Sequence, residues 1–331
     1  MSPSQAPGRK EPLTAGRLLE RMRDTLQLAQ ADGTAALDRV ITSPNISSPG
    51  LVLAGYTERF PGHRIQVFGE TEVTYLNTRP PAERERVLQI FFTHAIPCVF
   101  VTKGLEPPPG MIAAAGVAGV PVFTSLLKTN EFYTRIKPWL EDEFAPTTTI
   151  HASLADVFGV GLLFMGRSGI GKSECVLDLV ERGHRLVADD LVYVKRRGTD
   201  VLIGRGHEAQ RHFMEIRGVG LVDVPAIFGV RAVRQQKRIE VVVQLVEWHE
   251  DTHVDRTGLD GETTTILDVE LPRISVPLNP GKNITVVAEV IAMNHLLKYS
   301  GIDAAERFNA RLIGRMRAAA DITRYLQQDD E

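Results

Sequence analysis

The chain has 331 residues, 43% apolar and 24% charged, with 38 Lys and Arg against 41 Asp and Glu for a net charge of −3. These fractions are those of a globular protein, and the near-neutral balance gives no bulk electrostatic case for nucleic acid or an anionic membrane. Two cysteines, Cys98 and Cys175, make neither a disulfide scaffold nor a cysteine zinc site, so a reducing cytoplasm is the expected compartment.

At about 150 residues per domain the length predicts two domains of α/β class. Residues 1–12 read as a disordered tail without the apolar stretch of a secretory signal. The first domain is expected over 13–144. Leu18, Leu19, Met22, Leu26 and Leu28 recur at near-helical spacing, and Ala82 to Ile90 reads as a second helix. Leu51 to Leu53, Ile65 to Phe68 and Val99 to Thr102 are short apolar runs that read as strands. The weakly polar run from Met111 to Leu127 is broken by Gly116, Gly119 and Pro121 and is no membrane span. Residues 145–149, Ala-Pro-Thr-Thr-Thr, read as a linker.

The second domain is expected over 150–328. Val160 to Met165 reads as a strand and Lys172 to Arg182 as a helix with Cys175, Val176, Leu179 and Val180 on one face. Leu186 to Ala188, Leu191 to Val194 and Ile239 to Val246 read as strands, and Val286 to Lys298 as a helix.

Between the first strand and helix of this domain lies Gly166-Arg167-Ser168-Gly169-Ile170-Gly171-Lys172-Ser173, which fits the phosphate-loop pattern G-x-x-x-x-G-K-[ST] in full. Glycines let successive N–H groups converge on an anion at a helix N-terminus. Lys172 can neutralise the β- and γ-phosphates, and the Ser173 hydroxyl can ligate Mg²⁺. The alternative is a Gly-rich turn that binds nothing. No Asn-Lys-x-Asp guanine motif accompanies the loop, and the His-Arg-Asp and Asp-Phe-Gly motifs of eukaryotic kinases are absent.

Asp189-Asp190 ends an apolar run. Neighbouring strand residues point to opposite faces, so only one of the pair readily faces the phosphates. Such an acid can hold Mg²⁺ or take a proton; a solvated turn is the bland alternative. Glu215-Ile216-Arg217-Gly218-Val219-Gly220 joins a charged pair to two glycines, which suggests a closely approached backbone, with Glu215 as a second oxygen ligand for Mg²⁺. An ordinary hairpin is the alternative. His151 could orient a carboxylate, and Arg256 could stabilise charge on a transferring phosphoryl group. Pro277-Leu278-Asn279-Pro280-Gly281-Lys282 reads as a stiff loop carrying one cation.

These pieces, in this order, resemble the bifunctional HPr kinase/phosphorylase family of bacteria over nearly the whole chain after the tail. Pro49-Gly50-Leu51, Arg64 to Gly69 and Thr102 to Pro108 resemble that family's N-terminal domain. The phosphate loop, Ala188-Asp189-Asp190, Glu215 to Gly220 and Pro280-Gly281-Lys282-Asn283 resemble its catalytic domain. The resemblance implies a small N-terminal α/β domain and a C-terminal P-loop kinase domain like that of phosphoenolpyruvate carboxykinase. It implies ATP- or pyrophosphate-dependent phosphorylation of a serine in the phosphocarrier protein HPr, reversed by inorganic phosphate with release of pyrophosphate, in a homohexamer.

The roles it implies are these. Residues 166–173 hold the nucleotide, and Ser173 and Glu215 ligate Mg²⁺. Asp190 is base in one direction and acid in the other, supported by His151 and Asp189. Arg256 grips the phosphoryl group, and residues 277–282 serve dephosphorylation. Lys282 stands where many relatives carry Arg, which removes a bidentate phosphate contact. Three rival readings remain: a P-loop kinase acting on another protein or small molecule, a nucleotide sensor that transfers nothing, and an assembly protein. A sensor needs only Lys172 and Ser173, whereas this chain also carries Asp190, Glu215 and Arg256.

Overall fold

The computed structural model describes residues 11–31, 36–207, 211–248, 261–278 and 283–328, with backbone alone for 318–328. The chain divides into two compact units, Met1–Ala145 and Pro146–Glu331.

In the first unit, Ala15–Leu26 forms helix α1, capped by the Thr14 hydroxyl and burying Ala15, Leu18, Met22 and Leu26. Five strands follow: β1 (Leu28–Gln30), β2 (Ile46–Ser47), β3 (Ile65–Phe68), β4 (Val99–Val101) and β5 (Val122–Ser125). They form one sheet in the order β1-β5-β4-β3-β2, parallel except for β1. Parallel strands need both faces covered, and their side chains divide accordingly. Val67, Phe100 and Phe123 pack with α1 and α6 (Thr129–Glu143). Phe68, Val99, Val101 and Val122 pack with α2 (Gly50–Leu53), α3 (Glu70–Asn77), α4 (Pro81–Phe92) and α5 (Met111–Ala118). Residues 51–53, expected as a strand, are thus helical; three apolar residues carry too little periodicity to tell the two apart.

In the second unit, residues 147–149, expected within a linker, join Ile150 and His151 in strand β6 (Thr147–His151) on the edge of a four-stranded sheet. β-Branched threonines suit an edge strand that buries little, which hides it from an apolar-period reading. Its sheet runs β14-β11-β10-β6, with β10 Leu191–Arg197, β11 Val201–Arg205 and β14 Gln236–Arg238. A six-stranded sheet runs β16-β17-β15-β8-β7-β9. Its strands are β7 (Ser153–Val157), β8 (Val160–Met165), β9 (Arg185–Ala188), β15 (Val241–Glu247), β16 (Thr263–Ile266) and β17 (Val269–Leu278). β8, β15 and β17 are parallel.

Alternation along β8 builds a layered core. Leu162 and Phe164 pack with α7 (Lys172–Glu181) and α9 (Ile284–Tyr299), while Leu163 packs with Val192, Val194 and Leu202 of the smaller sheet. The hairpin of β12 (Phe213–Ile216) and β13 (Gly220–Asp223) lies beside α7 and leads into α8 (Val224–Phe228). Helix α10 (Ala304–Gln328) follows α9. Pro277 and Leu278, expected in a loop, belong to β17 opposite Val246 and Glu247. Among the described residues β17 has only β15 beside it there, so one side of the strand needs no donor at the proline. The expected tail residues 1–10, and Asn279, Pro280, Gly281, Lys282 and Arg256, lie outside the described residues.

One ion pair locks α7 to α9. Arg182 donates from Nε and Nη2 to the two Glu289 carboxylate oxygens at 2.8 and 2.6 Å, and His184 Nε2 lies 3.0 Å from Oε1. The Arg182 hydrogen bonds push the Glu289 carboxyl down to about 2 from its ordinary 4.5, against the opposing effect of burial. A depressed carboxyl stabilises the fold above its unfolded value, and that contribution disappears as the pH falls from 4.5 towards about 2. Glu289→Gln is therefore expected to lower the melting temperature by about 2–4 °C at pH 7. The difference should vanish near pH 2, as followed by circular dichroism melts across pH.

Candidate active site

The site forms at the C-terminal ends of β8 and β15, where parallel α/β sheets expose strand ends and helix N-termini together. β8 is buried from Val160 to Phe164, which pins the start of the loop. Three loop glycines adopt left-handed conformations: Gly166 at φ +153°, Gly169 at +78° and Gly171 at +101°. At Gly166 a Cβ would lie 2.9 Å from the Leu245 carbonyl oxygen, so the loop start is pressed against β15. At Gly169 a Cβ would collide with the guanidinium of Arg217.

The loop side chains are held. Lys172, first residue of α7, donates from Nζ to the carbonyl oxygens of Gly166 and Arg167, both at 3.1 Å. Arg167 is ion-paired to Glu247 at the end of β15. Ser168 and Ile170 complete the turn, with the Ile170 N–H bonded to the Arg167 carbonyl at 3.3 Å. The Ser173 hydroxyl donates to Asp189 Oδ1 at 3.0 Å. The same oxygen accepts the buried Ser153 hydroxyl at 2.5 Å. Burial raises the Asp189 carboxyl above its ordinary 3.8, opposed by those two hydroxyls and helped by the charge of Asp190.

Asp190 turns the other way. Its φ of +64° lies in the left-handed region that only glycine, asparagine and aspartate visit readily. The Leu191 N–H returns to the Asp189 carbonyl at 2.8 Å, closing a three-residue turn about Asp190. The Ala152 N–H, at 3.1 Å, anchors the Asp190 carbonyl. The β6–β10 register sets His151 opposite Leu191, and His151 Nδ1 lies 3.8 Å from Asp190 Oδ1, with both side chains more than 70% exposed. Backbone strain of this kind persists where surrounding structure enforces it, commonly at sites of chemistry.

The hairpin contributes differently from expectation. Nothing approaches Gly218 or Gly220. Their φ values of +84° and +96° instead close a three-residue turn, 217–219, between Ile216 and Gly220. The close approach falls on Gly169, where Arg217 lies. Glu215 is on β12, which packs on α7, but it makes no hydrogen bond or ion pair with Ser173 or Asp189. No group of three His, Cys, Asp or Glu able to hold a metal occurs among the described residues. Ser153 and Glu247 complete the constellation without having been anticipated. The signal for Ser153 was a polar residue in the otherwise buried strand β7; Glu247 carried none.

The family model of the HPr Serine kinase C-terminal domain matches residues 142–312, and that of the HPr Serine kinase N terminus matches residues 13–140. The chain belongs to the HPr kinase/phosphorylase family. The HPr kinase/phosphorylase of Chloroherpeton thalassium is 43% identical over 324 residues, 97% of this chain and 95% of that one. That of Geobacter sulfurreducens is 46% identical over 299 residues, 90% and 94% of the two chains. The solved Hpr(Ser) kinase/phosphatase from Coxiella burnetii is 33% identical, with a TM-score of 0.43 over 46% of this chain and 99% of that one. HPr kinase/phosphorylase family membership makes this chain a nucleotide-using phosphotransferase. Among its described residues no helix is long and apolar enough to cross a membrane.

Because the fold raises the Asp189 carboxyl, its ionised form costs stability, and stability falls as the pH rises above the ordinary 3.8. Asp189→Asn should therefore raise the melting temperature of the ligand-free protein by about 2–4 °C at pH 7. It should leave the melting temperature unchanged at pH 3 and weaken nucleotide binding; calorimetry of both states checks this.

Proposed function

We propose that this chain transfers the terminal phosphoryl group of ATP to a serine of the phosphocarrier protein HPr. It also reverses the transfer, with inorganic phosphate as the attacking group and pyrophosphate as the product. The observation that carries the reading is the pair of adjacent carboxylates with opposite surroundings. Asp189 is bonded to the loop serine, and Asp190 is exposed beside His151. A mere nucleotide sensor has no need of the second.

The loop amides and Lys172 hold the phosphates, once Lys172 exchanges its two carbonyl partners for phosphate oxygens. Asp190 accepts the proton of the acceptor serine as its oxygen meets the terminal phosphorus in line. The bond to the bridging oxygen breaks and the nucleoside diphosphate leaves. In reverse, an oxygen of inorganic phosphate attacks the phosphoserine phosphorus, and the bond to the serine oxygen breaks. Asp190 then returns the proton to that oxygen; a base in one direction must be an acid in the other. His151, close enough to pair with Asp190 when protonated, orients it. Arg256 is the proposed further cation on the phosphoryl group, and residues 277–282 the loop that serves the reverse step.

The donors near Ser173 are hard oxygens, which suit Mg²⁺. Ser173 and Glu215, with Asp189 behind the serine, would hold the ion, which neutralises phosphate charge when bound. A reducing cytoplasm fits the two buried free cysteines. Assembly of copies, a hexamer by family resemblance, is supported by Val286, Val290, Met293 and Leu297, which leave an apolar stripe exposed along α9. Size-exclusion chromatography with light scattering should give a mass near six chains, and Val290→Glu with Leu297→Glu should lower it.

The activity is tested with γ-labelled ATP, Mg²⁺ and purified HPr. Label is expected on an HPr serine. Lys172→Ala should abolish it, and Asp190→Asn should slow both directions by about 10²–10⁴-fold. Retention of both activities by Asp190→Asn, or label on no HPr serine, would overturn the reading.

A further inference from the structure

We propose that a cavity at the far end of the catalytic unit binds a zwitterionic α-amino acid with an apolar side chain. The cavity has a volume of about 610 Å³, within the range of small-molecule sites. It opens where Arg238 and Ile239 lead into β15, between the β10–β11 turn, the start of β17 and the last turns of α9. The phosphate loop sits at the other end of β15, whose seven residues span about 20 Å, so the two sites are separate.

The charges that line the cavity are unevenly satisfied. Glu240 is taken by the Lys237 ammonium at 3.0 Å and the Gly161 N–H at 2.7 Å, and Asp268 by Arg196 at 3.1 Å. Arg238, Asp200 and Glu270 have no opposite charge beside them among the described residues; the two acids accept only the hydroxyls of Thr199 and Thr263. No ion pair joins either acid to Arg238, so the cavity keeps one cation and two anions apart. Arg238 is anchored at its backbone. It pairs with Ile203 of β11, and a Cβ on Gly161 would collide with its carbonyl oxygen. His295 of α9 lies within electrostatic reach of Arg238 and Glu240; burial holds it below its ordinary 6.5, which Glu240 opposes and Arg238 and Lys298 reinforce. The ring is therefore neutral at pH 7, with an N–H to donate. This N–H and the guanidinium fork match a carboxylate. Asp200 and Glu270 match an ammonium group, which carries three donors and no acceptor. The buried residues Ile239, Val269 and Leu271 give the cavity an apolar lining for the body of the ligand. A carboxylate alone would face the two acids, and an amine alone would face Arg238; a molecule that carries both charges satisfies both sides.

The test is isothermal titration of the full chain with L-leucine, with its amine analogue 3-methylbutylamine and with its acid analogue 4-methylpentanoate. L-Leucine is expected to bind saturably and roughly tenfold or more tighter than either analogue. Arg238→Gln should weaken L-leucine and 4-methylpentanoate by roughly tenfold while the amine changes by less than about threefold. Asp200→Asn with Glu270→Gln should do the reverse, weakening L-leucine and the amine and sparing the acid. All three side chains are exposed, so melting curves of the variants should match wild type. No saturable binding of L-leucine to wild type would overturn the proposal. So would equal affinity for all three probes, or an L-leucine affinity that Arg238→Gln leaves unchanged.

Discussion

A single carboxylate oxygen organises the catalytic unit. Asp189 Oδ1 accepts hydroxyls from Ser153, at the start of β7, and from Ser173, in the first turn of α7. Through it the end of β9, the start of β7 and the helix behind the phosphate loop are held at one point. Burying a carboxylate is unfavourable unless hydrogen bonds compensate, and here two hydroxyls do so. Even so, burial leaves the Asp189 carboxyl above its ordinary value.

The placements of the two neighbouring acids follow from this anchor. With Asp189 turned inward, Asp190 must leave the strand, and it does so with a left-handed backbone and a three-residue turn. The local strain sets a second carboxylate outward beside His151, one residue from the group that touches the loop serine. Two acids adjacent in sequence thus acquire different environments, the usual route by which one site divides tasks between two like groups, and the proposed division of labour between them rests on that difference.

The phosphate loop is likewise set by its neighbours more than by its own pattern. Gly166 is crowded by β15, Arg167 is paired to the end of that strand, and Gly169 is covered by Arg217. Three separate chain segments, from the end of β9, the β12–β13 turn and β15, converge on eight loop residues, and β7 supports the first of them through Ser153. The layered core makes this possible, since alternating side chains of β8 fix the loop's starting strand on both faces.

The phosphate-loop residues, the strand before it, the helix after it and the acidic pair were all legible in the sequence. Each depends on contiguous residues whose spacing reflects local backbone chemistry. The family was legible too, because its motifs are local strings. Three short segments were misread: 51–53 as a strand, 147–149 as part of a linker and Pro277-Leu278 as loop. In each, pairing or packing with a distant partner outweighed weak local preference. Which aspartate faces Ser173 was not legible, since period-two alternation says that the two diverge but not which way the sheet is turned. Ser153, Glu247 and the Arg217–Gly169 contact belong wholly to tertiary structure. They join residues 36, 80 and 48 positions apart from their partners, Asp189, Arg167 and Gly169, and no sequence period links positions that only the packing of separate strands and turns brings together.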